Sequence, residues 1–85
     1  MGQLVATPSA LQILEQHGVL PHRLTARHSV GDYGDIGPDD AKANGDALRF
    51  GARILSSYRL TEGVRIWVIT EADRSTTTLL LPSEY

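Results

Sequence analysis

Eighty-five residues with a formal net charge of −2 and no cysteine describe one small domain, near the lower end of what folds unaided. The missing cysteine removes a disulfide framework, a thiolate zinc site and a cysteine nucleophile together. The slightly acidic balance argues against direct nucleic-acid binding, and no apolar run approaches the ~20 residues of a membrane span.

Along the chain, Thr7-Pro8 predicts a helix start, with Thr7 able to cap free amides and Pro8 preset for the first helical position. Ala10, Leu11 and Leu14 follow at helical spacing, and Gly18 supplies the stop. Pro21 opens a second short helix, roughly His22 to His28, with Leu24 inward. Gly31, Gly34 and Gly37 then interrupt regular structure. Pro38 with Asp39 and Asp40 marks a third helix, reaching about Arg49, whose acids suit its positive end. Its apolar face is thin: Ala41, Leu48 and Ala47. Gly51 ends it.

Three strands follow: Ala52 to Leu60, Val64 to Glu71, and Ser75 to Leu81, where Pro82 stops the last. In the first, Ile54, Ser56, Tyr58 and Leu60 share a face; in the second, Val64, Ile66, Val68 and Thr70 do. Thr61-Glu62-Gly63 and Ala72-Asp73-Arg74 are turns short enough to force an antiparallel meander. The expected architecture is α+β, with N-terminal helices packed on a three-stranded antiparallel sheet in two layers. A core of this size supports about 3–5 kcal/mol, so a homodimer is a reasonable way to bury more surface. The start, MGQLVATPSA, lacks the layout of a signal peptide, and a cytoplasmic protein is expected.

Charge is distributed unevenly. Residues 32–46 carry five acids against Lys42, a net of −4, while residues 49–74 carry five arginines against three acids, a net of +2. Two polar clusters stand out. One is the turn Glu71-Ala72-Asp73-Arg74-Ser75-Thr76-Thr77. Arg74 could clamp an oxyanion while Ser75 or Thr77 donates hydrogen bonds. Equally, Asp73 could close an Asx turn while Arg74 pairs with Glu71. The other cluster is His28 through Asp35, where a histidine near Asp32 and Asp35 offers general acid–base chemistry. Together, His28, Arg74, Ser75 and Thr77 form the set a small ribonuclease-like or toxin-like enzyme would use.

No metal site is expected. The carboxylate spacing does not fit an EF-hand loop, and no two histidines fall on one helix face. No cofactor is expected either, since the glycine series precedes no phosphate-binding Lys-Ser/Thr. Tyr58 and Trp67, on adjacent strands, read as a cross-strand pair that packs the core or anchors a partner. Both polar clusters carry more polar groups than their turns require. They are therefore expected to meet, with Asp32 or Asp35 bonding Arg74 or the backbone beside it.

From His28 onward the motifs HSVGDYGDI, DDAKAN, RILSSY and IWVITEADRSTTTLLLPSEY resemble a family of small bacterial proteins carried by plasmids, phages and other mobile elements. The pattern covers about two thirds of the chain and excludes the first helix. It maps onto His28, Gly31, Asp32, Tyr33, Gly34, Asp35, Asp40, Asn44, Arg53, Ser56, Tyr58, Trp67, Glu71, Asp73, Arg74, Ser75 and Thr77; Tyr33 stands where tryptophan is more usual. The family supplies no reaction. The mobile-element setting implies a non-enzymatic inhibitor of a host defence complex, of anti-CRISPR or anti-restriction type. Such an inhibitor would bind a protein partner, itself one that handles nucleic acid, through Asp32, Tyr33, Asp35, Asp39, Asp40, Glu71, Asp73 and Arg74. The enzyme reading and a structural or regulatory homodimer remain the alternatives.

Overall fold

The computed structural model describes residues 2–85. Strand β1 (Gln3–Ala6) leads directly into helix α1 (Pro8–Gln16), then α2 (Pro21–Ser29) and α3 (Pro38–Phe50). Strands β2 (Ile54–Thr61), β3 (Val64–Thr70) and β4 (Thr76–Leu80) follow, and a 3₁₀ turn closes the chain at Pro82–Glu84. Helices and strands therefore form the expected α+β architecture, but the sheet has four strands. Its order is β1-β4-β3-β2, with β1 parallel to β4 and the other pairs antiparallel. The three-stranded antiparallel meander is thus corrected to a four-stranded mixed sheet. The four residues of β1 are too short a run to be read as a strand from periodicity, and only β4, more than seventy residues away in sequence, makes them one.

The local signals for the helices hold. Thr7 accepts the amide of Ala10 at 3.1 Å and caps α1, and Gly51 ends α3 in the left-handed region at φ 78°. On β2 and β3 the alternation places Ile54, Ser56 and Tyr58 opposite Thr70, Val68 and Ile66, on the face that α1 and α2 cover. There Ala10, Leu14, Leu24, Tyr58, Ile66, Val68 and Leu79 form the core.

α3 behaves differently. Its buried residues are Asn44 and Ala47, while Ala41 and Leu48 are exposed, contrary to the expected apolar face. α3 runs along the free side of β2 and does not cover the sheet with a greasy stripe. Asn44 donates to the Leu55 carbonyl at 2.6 Å and accepts the Leu55 amide at 2.9 Å. One side-chain amide thus replaces a neighbouring strand. A second correction concerns the aromatics. Tyr58 pairs with Ile66 and Trp67 with Ser57, so the two rings leave opposite faces of the sheet and cannot touch as a cross-strand pair.

Candidate functional site

His28, on the last turn of α2, enters the inner face where the core turns polar. Its Nδ1 lies 2.5 Å from Ser56 Oγ on β2, and its Nε2 lies 2.8 Å from Thr70 Oγ1 on β3. Thr70 continues to Thr77 on β4 at 2.9 Å. Thr70 and Thr77 are cross-strand neighbours, and Ser56, opposite Val68, stands diagonal to Thr70 on the same face, so His28 can bridge hydroxyls from two strands. A neutral imidazole suits this position, with one ring nitrogen donating and the other accepting. Burial holds the His28 pKa below its ordinary value. The ring is 5% exposed, and Tyr33 meets it edge-on with centroids 6.1 Å apart.

Arg74 belongs to the β3–β4 turn and stands at φ 63°, a left-handed conformation in a residue other than glycine. Its guanidinium donates to the carbonyls of Ala52 at 2.6 Å, Ala47 at 3.0 Å, Glu71 at 3.1 Å and Ala72 at 3.4 Å. It therefore ties the end of α3, the approach to β2 and its own turn together. The acceptors are all backbone carbonyls, and the expected bond to Asp32 or Asp35 is not formed. Asp32 instead pairs with Arg27 at 2.7 Å, and Asp35 with Arg65 at 3.0 Å.

The other site residues distribute as follows. Asp73 accepts both the amide and the hydroxyl of Ser75, at 2.9 and 2.6 Å, which is the Asx turn. These bonds hold the Asp73 carboxyl below its usual range. Glu71 directs its carboxylate to solvent while its carbonyl serves the turn. Asp39 and Asp40 are exposed in the first turn of α3 and form no ion pair among the described residues. Of the four enzyme candidates, His28 and Thr77 are linked through Thr70. His28 and Arg74 line one cavity of about 480 Å³, whereas Ser75 is not among its lining residues.

That cavity opens between the end of α2 and α3. Its exposed lip consists of Val30 (80% exposed) and Leu48 (63% exposed). The histidine and the arginine at its wall are each bonded internally. His28 is held by the Ser56 and Thr70 hydroxyls, and Arg74 by backbone carbonyls.

The loop from Asp32 to Asp35 has a structural task. Ser57 donates its amide to the Tyr33 carbonyl at 3.0 Å and accepts the Asp35 amide at 2.7 Å. The loop thereby pairs with β2 beyond the point that Asn44 holds. Tyr58 donates its hydroxyl to the Asp32 carbonyl at 2.7 Å, and the Arg27 guanidinium lies 4.6 Å above the Tyr58 ring. The Arg27 hydrogen bond holds the Asp32 carboxyl below its usual range. Gly34 is required: at φ 71° a Cβ would collide with the Ser57 carbonyl oxygen and lie 2.7 Å from Tyr58 Cδ1.

Sequence reasoning missed a second concavity. On the outer face, Asp40, Asn44, Arg53, Leu55, Trp67 and Tyr85 line a cleft of about 340 Å³. Trp67 and Tyr85 meet edge-to-face at 5.5 Å, and Arg53 donates to the Tyr85 hydroxyl at 2.6 Å. Strand parity could have separated Trp67 from the core, but nothing local brings Tyr85 back to it. Among the described residues no group of three metal-ligating side chains is close enough to hold an ion, and no helix is long and apolar enough to cross a membrane. Compared with known proteins, the chain matches no family model, no curated protein and no solved structure.

Proposed function

We propose that this protein acts by contact, as a non-enzymatic, cytoplasmic inhibitor of a host defence complex, of the anti-CRISPR or anti-restriction type that mobile elements carry. One observation supports this reading over the enzyme: His28 and Arg74 are both committed to internal bonds. What remains available on the surface is suited to binding. Asp39 and Asp40, at the start of α3, form no ion pair among the described residues, and Asp40 borders the cleft that holds Trp67 and Tyr85. Aromatic anchors beside acids match the chemistry of a hot spot for a basic, nucleic-acid-handling protein surface. Asp32 and Asp35 are neutralised by their own arginines, so the contact surface is centred on α3 and not on the loop.

The test is titration of the purified protein into CRISPR effector and restriction complexes while their cleavage is followed. A contact inhibitor saturates near one equivalent of its target. Asp39→Lys with Asp40→Lys abolishes inhibition in a protein that still melts normally, and His28→Ala acts only through stability. Inhibition at sub-stoichiometric amounts, lost in a folded His28→Ala protein, would overturn the reading in favour of turnover.

A further inference from the structure

The two edges of the sheet are treated in opposite ways. At β2, the Leu55 amide and carbonyl are taken by Asn44, and those of Ser57 by the loop at Tyr33 and Asp35. At β1 no further strand among the described residues pairs with the edge, which ends the sheet order. Gln3 donates to the carbonyl of Ser75, just before β4, at 2.8 Å, and Thr7 to that of Leu79 on β4 at 3.0 Å. Backbone direction alternates along a strand, so Val5 also faces β4. The amides and carbonyls of Leu4 and Ala6 consequently point away from the sheet.

Sheet edges in native proteins are usually blunted by charge, proline or a bulge. Residues 2–6, Gly-Gln-Leu-Val-Ala, have no charge and no proline, and the β1–β4 register runs without a break. Leu4 and Val5 are 48% and 39% exposed.

We infer that the β1 edge is a self-association surface, on which a second copy of this chain pairs its own β1 antiparallel, making one continuous eight-stranded sheet. The occupant follows from complementarity. A two-fold axis at Val5 sets Leu4 of one copy opposite Ala6 of the other, both with outward amide and carbonyl, and closes four hydrogen bonds. At the axis Val5 meets Val5 in the closer, non-hydrogen-bonded type of pair. The strand offers no charge with which to select a charged partner and none to repel its own copy. The inference rests on the sheet edges alone and is independent of the inhibitor reading.

Sedimentation equilibrium of the full chain across micromolar to millimolar concentration tests it. The expected result is a reversible shift from 9.3 kDa to twice that mass. Leu4→Pro removes only an outward amide, which edge strands tolerate. It should weaken dimerisation at least about tenfold while the circular dichroism spectrum is retained. Val5→Lys sets two like charges face to face at the axis and should give monomer; Leu48→Lys, on the exposed face of α3, should leave association unchanged. Should Leu4→Pro fail to fold, Val5→Lys decides alone, since its side chain is already half in solvent. A monomer at all concentrations, a dimer that survives Val5→Lys, or a dimer lost on Leu48→Lys overturns the proposal. So does a β1 edge that captures an added peptide strand without self-association.

Discussion

The inner face of the sheet has two ends built on different principles. At one, Tyr58, Ile66, Val68 and Leu79 pack against Ala10, Leu14 and Leu24. At the other, Ser56, Thr70 and Thr77 present a row of hydroxyls that His28 closes. The apolar end gains from burial whatever the details of orientation. The polar end stabilises only while every donor finds its acceptor, because a buried polar group left unpaired costs more than its bond contributes. The comparison teaches that a histidine standing out in the sequence is held in the fold by a buried row of hydroxyls.

The largest effect is expected at the apolar end. Leu79→Ala, at a position with no exposure, should cost about 2–5 kcal/mol. In a domain with about 3–5 kcal/mol in total, urea denaturation should find most of the chain unfolded; a cost under about 1 kcal/mol would refute the placement of the core. His28→Ala should cost about 1–3 kcal/mol, because the Ser56 and Thr70 hydroxyls lose their common partner. In the Ser56→Ala, Thr70→Val background the same substitution should cost clearly less, and an unchanged cost would separate His28 from the row.

The polar end should also sense pH. With the His28 pKa lowered by burial from 6.5, the unfolded chain takes up a proton that the native state refuses. Stability is therefore full above about pH 6.5 and is lost as pH falls from there towards the folded pKa. His28→Gln should flatten that part of the stability curve. The Asp32 and Asp73 carboxyls, held below 3.8, lose their contributions only in a separate window below that value.

Smaller effects lie outside both ends. Arg74 is held at φ 63°, so Arg74→Ala should be worse than Arg74→Gly by about 1 kcal/mol, although both lose the same four carbonyl contacts. Equal costs would mean that the left-handed turn relaxes. Smallest of all is the Asp35–Arg65 pair, whose side chains are largely in solvent; Arg65→Ala should change stability by no more than about 1 kcal/mol, and less in high salt.

Particular residues show how much of this was legible. The helix starts at Pro8, Pro21 and Pro38 could be read directly, because capping and fixed φ act within one turn of the chain. The alternation of Ile54, Ser56, Tyr58 with Ile66, Val68, Thr70 was also legible, since period two needs only the pleat. Asn44 was not: its value lies in the spacing of one carbonyl and one amide on a strand eleven residues later. Nor was the pairing of Asp35: residues 28–48 hold no arginine, and its partner Arg65 comes from a strand that only the fold brings near.

Sequence by itself determined the helix starts and the two-residue alternation of β2 and β3, because each is governed by forces acting over a few residues, and it left the Asx turn at Asp73 as one of two readings. Tertiary structure alone decided that Gln3–Ala6 is a strand, that Trp67 and Tyr58 are separated by the sheet, and that His28 and Arg74 are consumed by internal bonds. Those outcomes depend on register between distant segments, and a shift of a single residue would reverse the face of every side chain involved.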